Sequence, residues 1–298
     1  MQPCNLLRVV VIGTGALGST LLERMAGHGV SSVLLIDPDR VQQRNLPLSP
    51  FLARAVASAE KSAAANFMRD GLWNKAELLA DEAERSYGLQ WQAVPCEIAD
   101  TGWQDLMEVD LFCCCTDNAL SRAETAWIAR MLNKPVLDGA VFGESVSAGR
   151  VTQFAIQPEA ACYLCGMGED TRANVLGYAA SASLGCRAPA DTPAMTGTIA
   201  TLQHIAETMM NRMFQFANDQ QWPERSSTLK ASLRNVAGQS CWKHEQVLLT
   251  RSSTCPWHEP APERLKPLPW KTALEHSLEQ NWEVQLAWPI CTEATCAA

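Results

Sequence analysis

No run of about 18 or more uncharged apolar residues occurs in this 298-residue chain, so nothing in it reads as a transmembrane helix. Positive charge is also scarce. Against 32 aspartates and glutamates there are 24 lysines and arginines, and the net charge of −8 argues against nucleic acid or an anionic membrane as the main partner. The apolar run from Leu6 leads straight into a glycine loop without a cleavage-site pattern, so no secretory signal is expected. No internal repeat or low-complexity tract is visible. Cysteine, by contrast, is abundant. Twelve cysteines in a chain without a signal point to the cytosol, where thiols tend to be buried, catalytic or metal-binding rather than paired.

The hydrophobic pattern predicts an α/β protein. "RVVVI" (8–12) is a short unbroken apolar run, as in a central strand of a parallel sheet, and "STLLERMAGHG" reads as the following helix. "SSVLLID", "LQWQAVPCEI", "VDLFCCCTDN" and "PVLDGAVFG" read as further strands. Between them lie helical segments in "EKSAAANFMRDGL", "KAELLADEAERSY" and "LSRAETAWIARMLNK". This alternation implies a Rossmann-like, doubly wound, mostly parallel sheet. After about residue 150 the pattern changes: "RVTQFAI" suits an antiparallel extension, "TGTIATLQHIAETMMNRMF" a strong amphipathic helix, and the chain beyond Gln220 short strands and loops. The expected organisation is a nucleotide-binding part at 1–155, a cysteine loop, helix and zinc-binding part of the same domain at 156–260, and a tail at 261–298.

Gly13, Gly15 and Gly18 form G-x-G-x-x-G between the first strand and its helix. The first glycine permits a tight turn, the second lets phosphate approach the backbone, and the third allows close packing, with the helix N-terminus favouring the anion. Asp37 stands where an acid meets a ribose at the end of the second strand, with Asp39 two residues on. Taken alone, this would suit NAD.

"GTGALGS" followed by "LLIDPDRVQQRNL" resembles the nucleotide loop of the ThiF/MoeB/HesA superfamily, the ubiquitin-activating-enzyme-like adenylyltransferases, in which an acid-x-acid pair, valine and Asn-Leu follow the second strand. Lys61 in "AEKSAAA", Asp117 in "CCCTDN" and the stretch "CRAPADTPAMTGTIATLQHIAE" fall in the family's order. The resemblance implies ATP rather than NAD, and adenylation of the C-terminal glycine of a small β-grasp protein, ubiquitin-like or sulfur-carrying. It further implies that Asp39 binds the ribose, Asn45 touches the phosphates, Lys61 stabilises departing pyrophosphate and Asp117 ligates Mg²⁺. Cys186 would accept the acyl group as a thioester, with Arg187 favouring the thiolate. A bacterial-type enzyme, a homodimer and, for conjugation, a partner conjugating enzyme are also implied.

The sequence departs from the family at the end of the nucleotide loop. Where Asn-Leu-x-Arg-Gln is usual, it reads Asn45-Leu46-Pro47-Leu48-Ser49, so an arginine is replaced by Leu48. An N-terminal helix with a further arginine, frequent in bacterial members, is not expected here either. Arg40, Arg44 and Arg54 lie close enough in sequence to substitute.

Cys162 and Cys165 form C-x-x-C, and Cys255-Pro-Trp-His258 repeats the spacing ninety residues later. Two such pairs suit a closed tetrahedral Zn²⁺ site, which accepts histidine in place of the family's fourth cysteine. Cys241 with His244 is an alternative second pair. Cys113, Cys114 and Cys115 read as core. Cys291 and Cys296 form an incomplete pattern in the tail. The best reading is an ATP- and Mg²⁺-dependent activating enzyme with a structural zinc. A non-catalytic carrier-binding subunit and, more distantly, an NAD-dependent oxidoreductase are the alternatives.

Overall fold

The computed structural model describes residues 7–62, 72–142, 147–172, 175, 198–219, 221–236, 239–255 and 257–258. One eight-stranded sheet organises them, in the order β3-β2-β1-β4-β5-β6-β7-β8. β1 (Arg8–Ile12), β2 (Ser32–Ile36), β3 (Gln92–Val94), β4 (Leu111–Cys114) and β5 (Val136–Phe142) run parallel. β6 (Ala148–Phe154), β7 (Ser227–Val236) and β8 (Gln239–Leu248) extend the sheet antiparallel from β5. The last two make a hairpin of ten-residue strands, longer than the short strands expected beyond Gln220. Their sequence hides this because β8 is exposed along most of its length and so lacks an apolar pattern.

The central strands are apolar throughout because both faces are covered. Val9, Val11, Leu35 and Leu111 face a core built with α1 (Ala16–Gly27), α2 (Pro50–Ser62), α3 (Lys75–Tyr87) and the long helix Ile199–Asp219. Val10, Ile12, Leu34 and Phe112 face a second core with α4 (Trp103–Met107) and α5 (Ala119–Met131). The helix Ile199–Asp219, α6, lies tight against β5 and β6. A Cβ on Gly139 would stand 2.4 Å from the Met209 sulfur, and one on Gly149 would stand 2.6 Å from Ile205. These two glycines let the helix settle on the antiparallel extension. Cys113 and Cys115 are buried in the first core, as their strand pattern predicts.

One half-buried acid on α5 sets a pH dependence. Glu124 is pushed from an ordinary 4.5 to about 8 by burial first, then by the charges of Glu97 and Asp100. The native state therefore holds a proton that the unfolded chain releases above 4.5. Stability from this group is fully present below pH 4.5 and is lost as pH rises to about 8, with a slope of up to about 1.4 kcal/mol per pH unit. Glu124→Gln should flatten that slope in urea titrations between pH 5 and 8 and stabilise the protein at the upper end. Parallel curves for the two proteins would contradict it.

Candidate functional site

The strand order reverses between β1 and β4, and ligands of open α/β sheets bind at the carboxyl ends of strands beside such a switch. Ile12 and Cys114 are register partners, so the glycine loop and the Thr116–Asp117 segment leave the sheet side by side. Gly13 has φ of +85°, and a Cβ there would meet the Thr116 backbone nitrogen at 2.9 Å. Gly18 is tighter still, since its Cβ would lie 1.9 Å from the Gly13 carbonyl oxygen. α1 opens at Gly15 with no side-chain cap, so its first N–H groups are left for another acceptor.

Asp37 braces this loop from β2. Its Oδ2 accepts from the Thr14 N–H at 2.6 Å and the Thr14 hydroxyl at 2.8 Å, and its Oδ1 accepts from the Asp39 N–H at 2.8 Å. Burial pushes the Asp37 carboxyl up, against the lowering pull of the Lys75 charge and the Thr14 bond. With both oxygens turned inward, it holds the shape of the loop. Asp39 faces out, its side chain 68% exposed, and receives the Lys75 ammonium at 2.7 Å. Lys75 is itself only 8% exposed along its side chain. It is the first residue of α3, whose cap Asn74 accepts from the Ala76 and Glu77 N–H groups and donates to the carbonyls of Asp37 and Asp39. One asparagine thus locks the acid pair and the lysine together.

Asp117 is exposed just beyond β4, with no hydrogen bond or ion pair among the described residues. Asn118 caps α5 by accepting from the Ser121 N–H at 2.7 Å. Beneath them Arg122 donates to the Thr116 carbonyl, the Gly139 carbonyl and Asp138, which also pairs with Arg150 at 3.1 Å. This buried network fixes the turn that presents Asp117.

A second centre lies where the 3₁₀ turn Tyr163–Gly166 meets residues 252–258. The donor atoms of Cys162, Cys165, Cys255 and His258 all lie within 4.8 Å of one another. Cys162 Sγ is 3.6 Å from Cys165 Sγ and 3.5 Å from Cys255 Sγ. Sulfurs bound 2.3 Å from a tetrahedral Zn²⁺ stand about 3.8 Å apart, so the spacing fits the ion with little movement. His258 Nε2 is buried without a partner among the described residues, which a metal would relieve. The thiols differ in environment: burial pushes Cys162 up, while hydrogen bonds from Cys162 and Cys255 draw Cys165 down. Cys241 and His244 stand three residues apart on β8, hence on opposite faces, and neither joins this cluster.

The family model described as "ThiF family" matches residues 4–241. The chain belongs to the ThiF family. An adenylyltransferase and sulfurtransferase, UBA4 of Eremothecium gossypii, is 25% identical over 158 residues, 53% of this chain and 32% of the relative's own length. The chain therefore spans about a third of that protein. Among solved structures, E. coli MccB with ATP matches 86% of this chain and 67% of its own at 14% identity and a TM-score of 0.56. E. coli MccB with succinimide matches 85% and 67% at 14% identity and a TM-score of 0.58. These solved structures share the fold of this ThiF-family chain.

Within the ThiF fold the candidate residues separate. Gly13, Gly15, Gly18, Asp37, Asp39 and Asp117 gather at the ends of β1, β2 and β4. Asn45 lies in the 3₁₀ turn Gln43–Leu48, its Oδ1 accepting from the Gln42 N–H at 3.0 Å. Lys61 is exposed in the last turn of α2, with no hydrogen bond or ion pair among the described residues. Lys75, which sequence reasoning passed over, is the lysine joined to the acid pair. The signal for it was present as an asparagine cap directly before a lysine and a helical run. Leu48 packs against the first core, so it brings no charge to the loop. Of the three arginines weighed as substitutes, Arg54 pairs with Glu23 at 2.5 Å and lies over the Phe51 ring, Arg44 bonds Gln42, and Arg40 bonds the Leu72 carbonyl. Cys186, Arg187, Cys291 and Cys296 lie outside the described residues.

Proposed function

We propose that this chain adenylates the C-terminal glycine of a small ubiquitin-like or sulfur-carrier β-grasp protein, using ATP and Mg²⁺, with the Cys186 thiolate then taking the acyl group as a thioester while the acyl–phosphate bond breaks and AMP departs. The observation that carries the reading is the gathering of an anion-accepting glycine loop, an outward acid joined to a buried lysine, and an exposed aspartate on three neighbouring strand ends. The reaction needs little covalent help from the protein. A carboxylate oxygen attacks the α-phosphorus, the bond to the bridging oxygen breaks, and pyrophosphate departs, so positioning and charge neutralisation supply the catalysis. The α1 N-terminus would hold phosphate oxygens, Asp39 the ribose hydroxyls, and Lys75 the negative charge that grows on the leaving group. Asp117 would hold Mg²⁺, which when bound offsets the triphosphate charge. Zn²⁺ at the cysteine-histidine cluster would be structural.

UBA4 is described as an adenylyltransferase and sulfurtransferase, which supports the carrier-protein class of substrate. E. coli MccB has been solved with ATP and, in a separate structure, with MccA, so a small peptide is a second class of substrate to try. The packing of Leu48 at the usual arginine position favours one other reading, a carrier-binding subunit without catalysis. Exchange of radiolabelled pyrophosphate into ATP separates them. Exchange that appears only with a glycine-terminated β-grasp protein supports the enzyme. Tight carrier binding with no exchange supports the subunit.

A further inference from the structure

At the end of the sheet opposite the glycine loop, where β1, β4 and β5 begin, lies an open cleft of about 700 Å³. Leu7, Ile156 and Phe216 give it an apolar wall, and Asp110 and Lys134 bring it opposite charges. Each of these two stands two residues before a member of a register pair, Phe112 of β4 and Val136 of β5. Neighbouring strands lie about 4.8 Å apart, so the chain sets a carboxylate and an ammonium close to each other. They do not join: neither takes part in an ion pair among the described residues. One Asp110 oxygen accepts from the Arg8 N–H at 2.9 Å, and no described group bonds the other. Both residues are half-buried. Each charge has therefore lost part of its water without gaining a counterion.

The cleft also meets the negative end of a helix. Phe216 and the buried Ala217 line it from the last turn of α6, where the final carbonyls have no partner within the helix. That end joins Asp110 in favouring a cation. A plain amine would leave Lys134 unmatched, a plain carboxylate would leave Asp110 unmatched, and an apolar molecule would leave both. Cavities of about 300–1,000 Å³ with apolar walls and a few polar groups are typical of small-molecule sites. We propose that this cleft binds a small zwitterion with an apolar body, an α-amino acid of the leucine or phenylalanine type. Its ammonium meets Asp110, its carboxylate meets Lys134, and its side chain lies on Leu7, Ile156 and Phe216. The site does not depend on the adenylation reading, since it uses none of the residues at the nucleotide end.

Full-length protein as purified should be titrated by calorimetry, near neutral pH, with L-leucine, with isocaproate, which lacks the ammonium, and with isoamylamine, which lacks the carboxylate. One leucine per chain should bind, and each fragment should bind roughly tenfold more weakly or worse, the loss expected for one charged hydrogen-bonded contact. Asp110→Asn can still accept from the Arg8 N–H but carries no charge, so it should hold leucine no better than isocaproate. Lys134→Gln should hold leucine no better than isoamylamine. Both variants should keep carrier-dependent pyrophosphate exchange. Wild-type protein that takes up none of the three, or that holds leucine no more tightly than the fragments, would overturn the assignment. Leucine binding unchanged in both variants would place the ligand elsewhere and overturn it as well.

Discussion

Lys75→Ala should lower carrier-dependent pyrophosphate exchange by about 10²–10³-fold, while Lys61→Ala leaves it within about twofold. The difference follows from placement. The Lys75 ammonium is shielded at the start of α3 and held 2.7 Å from Asp39. A charge kept there before substrate arrives needs no reorganisation when pyrophosphate leaves, which is where electrostatic catalysis gains most. Lys61 is solvated in the last turn of α2 and must give up side-chain entropy to reach anything. Lys75→Arg should recover only part of the rate, because a planar fork does not replace a compact ammonium in so confined a place. The loss should fall on kcat more than on KM for ATP if the lysine acts on the leaving group. Exchange that survives in Lys75→Ala and disappears in Lys61→Ala would reverse the assignment.

Removing metal from the cysteine-histidine cluster should cost more stability than any single substitution in the core. Structural zinc sites contribute apparent free energies of about 10–16 kcal/mol, as large as the whole net stability of a typical domain. The cluster joins the turn after β6 to residues beyond β8, and Cys162 and Cys255 are both buried. Without an ion, three thiols and an unpartnered imidazole nitrogen remain crowded in an apolar setting. Purified protein should carry one zinc per chain by atomic absorption. Cys165→Ser should lose it and melt roughly 10 °C lower or more, given about 2–4 °C per kcal/mol for a domain of 150–250 residues. Metal-free protein that melts with the wild type would show the four residues to be packed without a role.

Much of this arrangement is legible in the residues. The parallel half of the sheet follows from apolar strand runs and glycine spacing, since strands buried on both faces leave little room for other patterns. The Cys162–Cys165 and Cys255–His258 pairs were legible from their shared spacing, and the fold brings their donor atoms together. Two things were harder to read. The β7–β8 hairpin carries no apolar alternation, as one side of β8 faces solvent. The asparagine cap marks Lys75 as the start of a helix, but that this start abuts the acid pair at the end of β2 is a tertiary fact that local sequence does not encode. Asp37 shows a third limit. Its position in the motif suits a ribose ligand, but its hydrogen bonds to Thr14 and Asp39 make it a brace.

The tilted contact between Trp127 and Trp257, with ring centroids 4.7 Å apart, has a mechanical meaning. Trp127 belongs to α5, and the same helix begins at Asn118, next to Asp117. Nine helical residues, or about 14 Å of stiff rod, separate the two points. The cysteine-histidine cluster thus steadies the far end of the helix whose start presents Asp117. Partial demetallation would be felt at the nucleotide end as weaker ATP uptake before the chain melts.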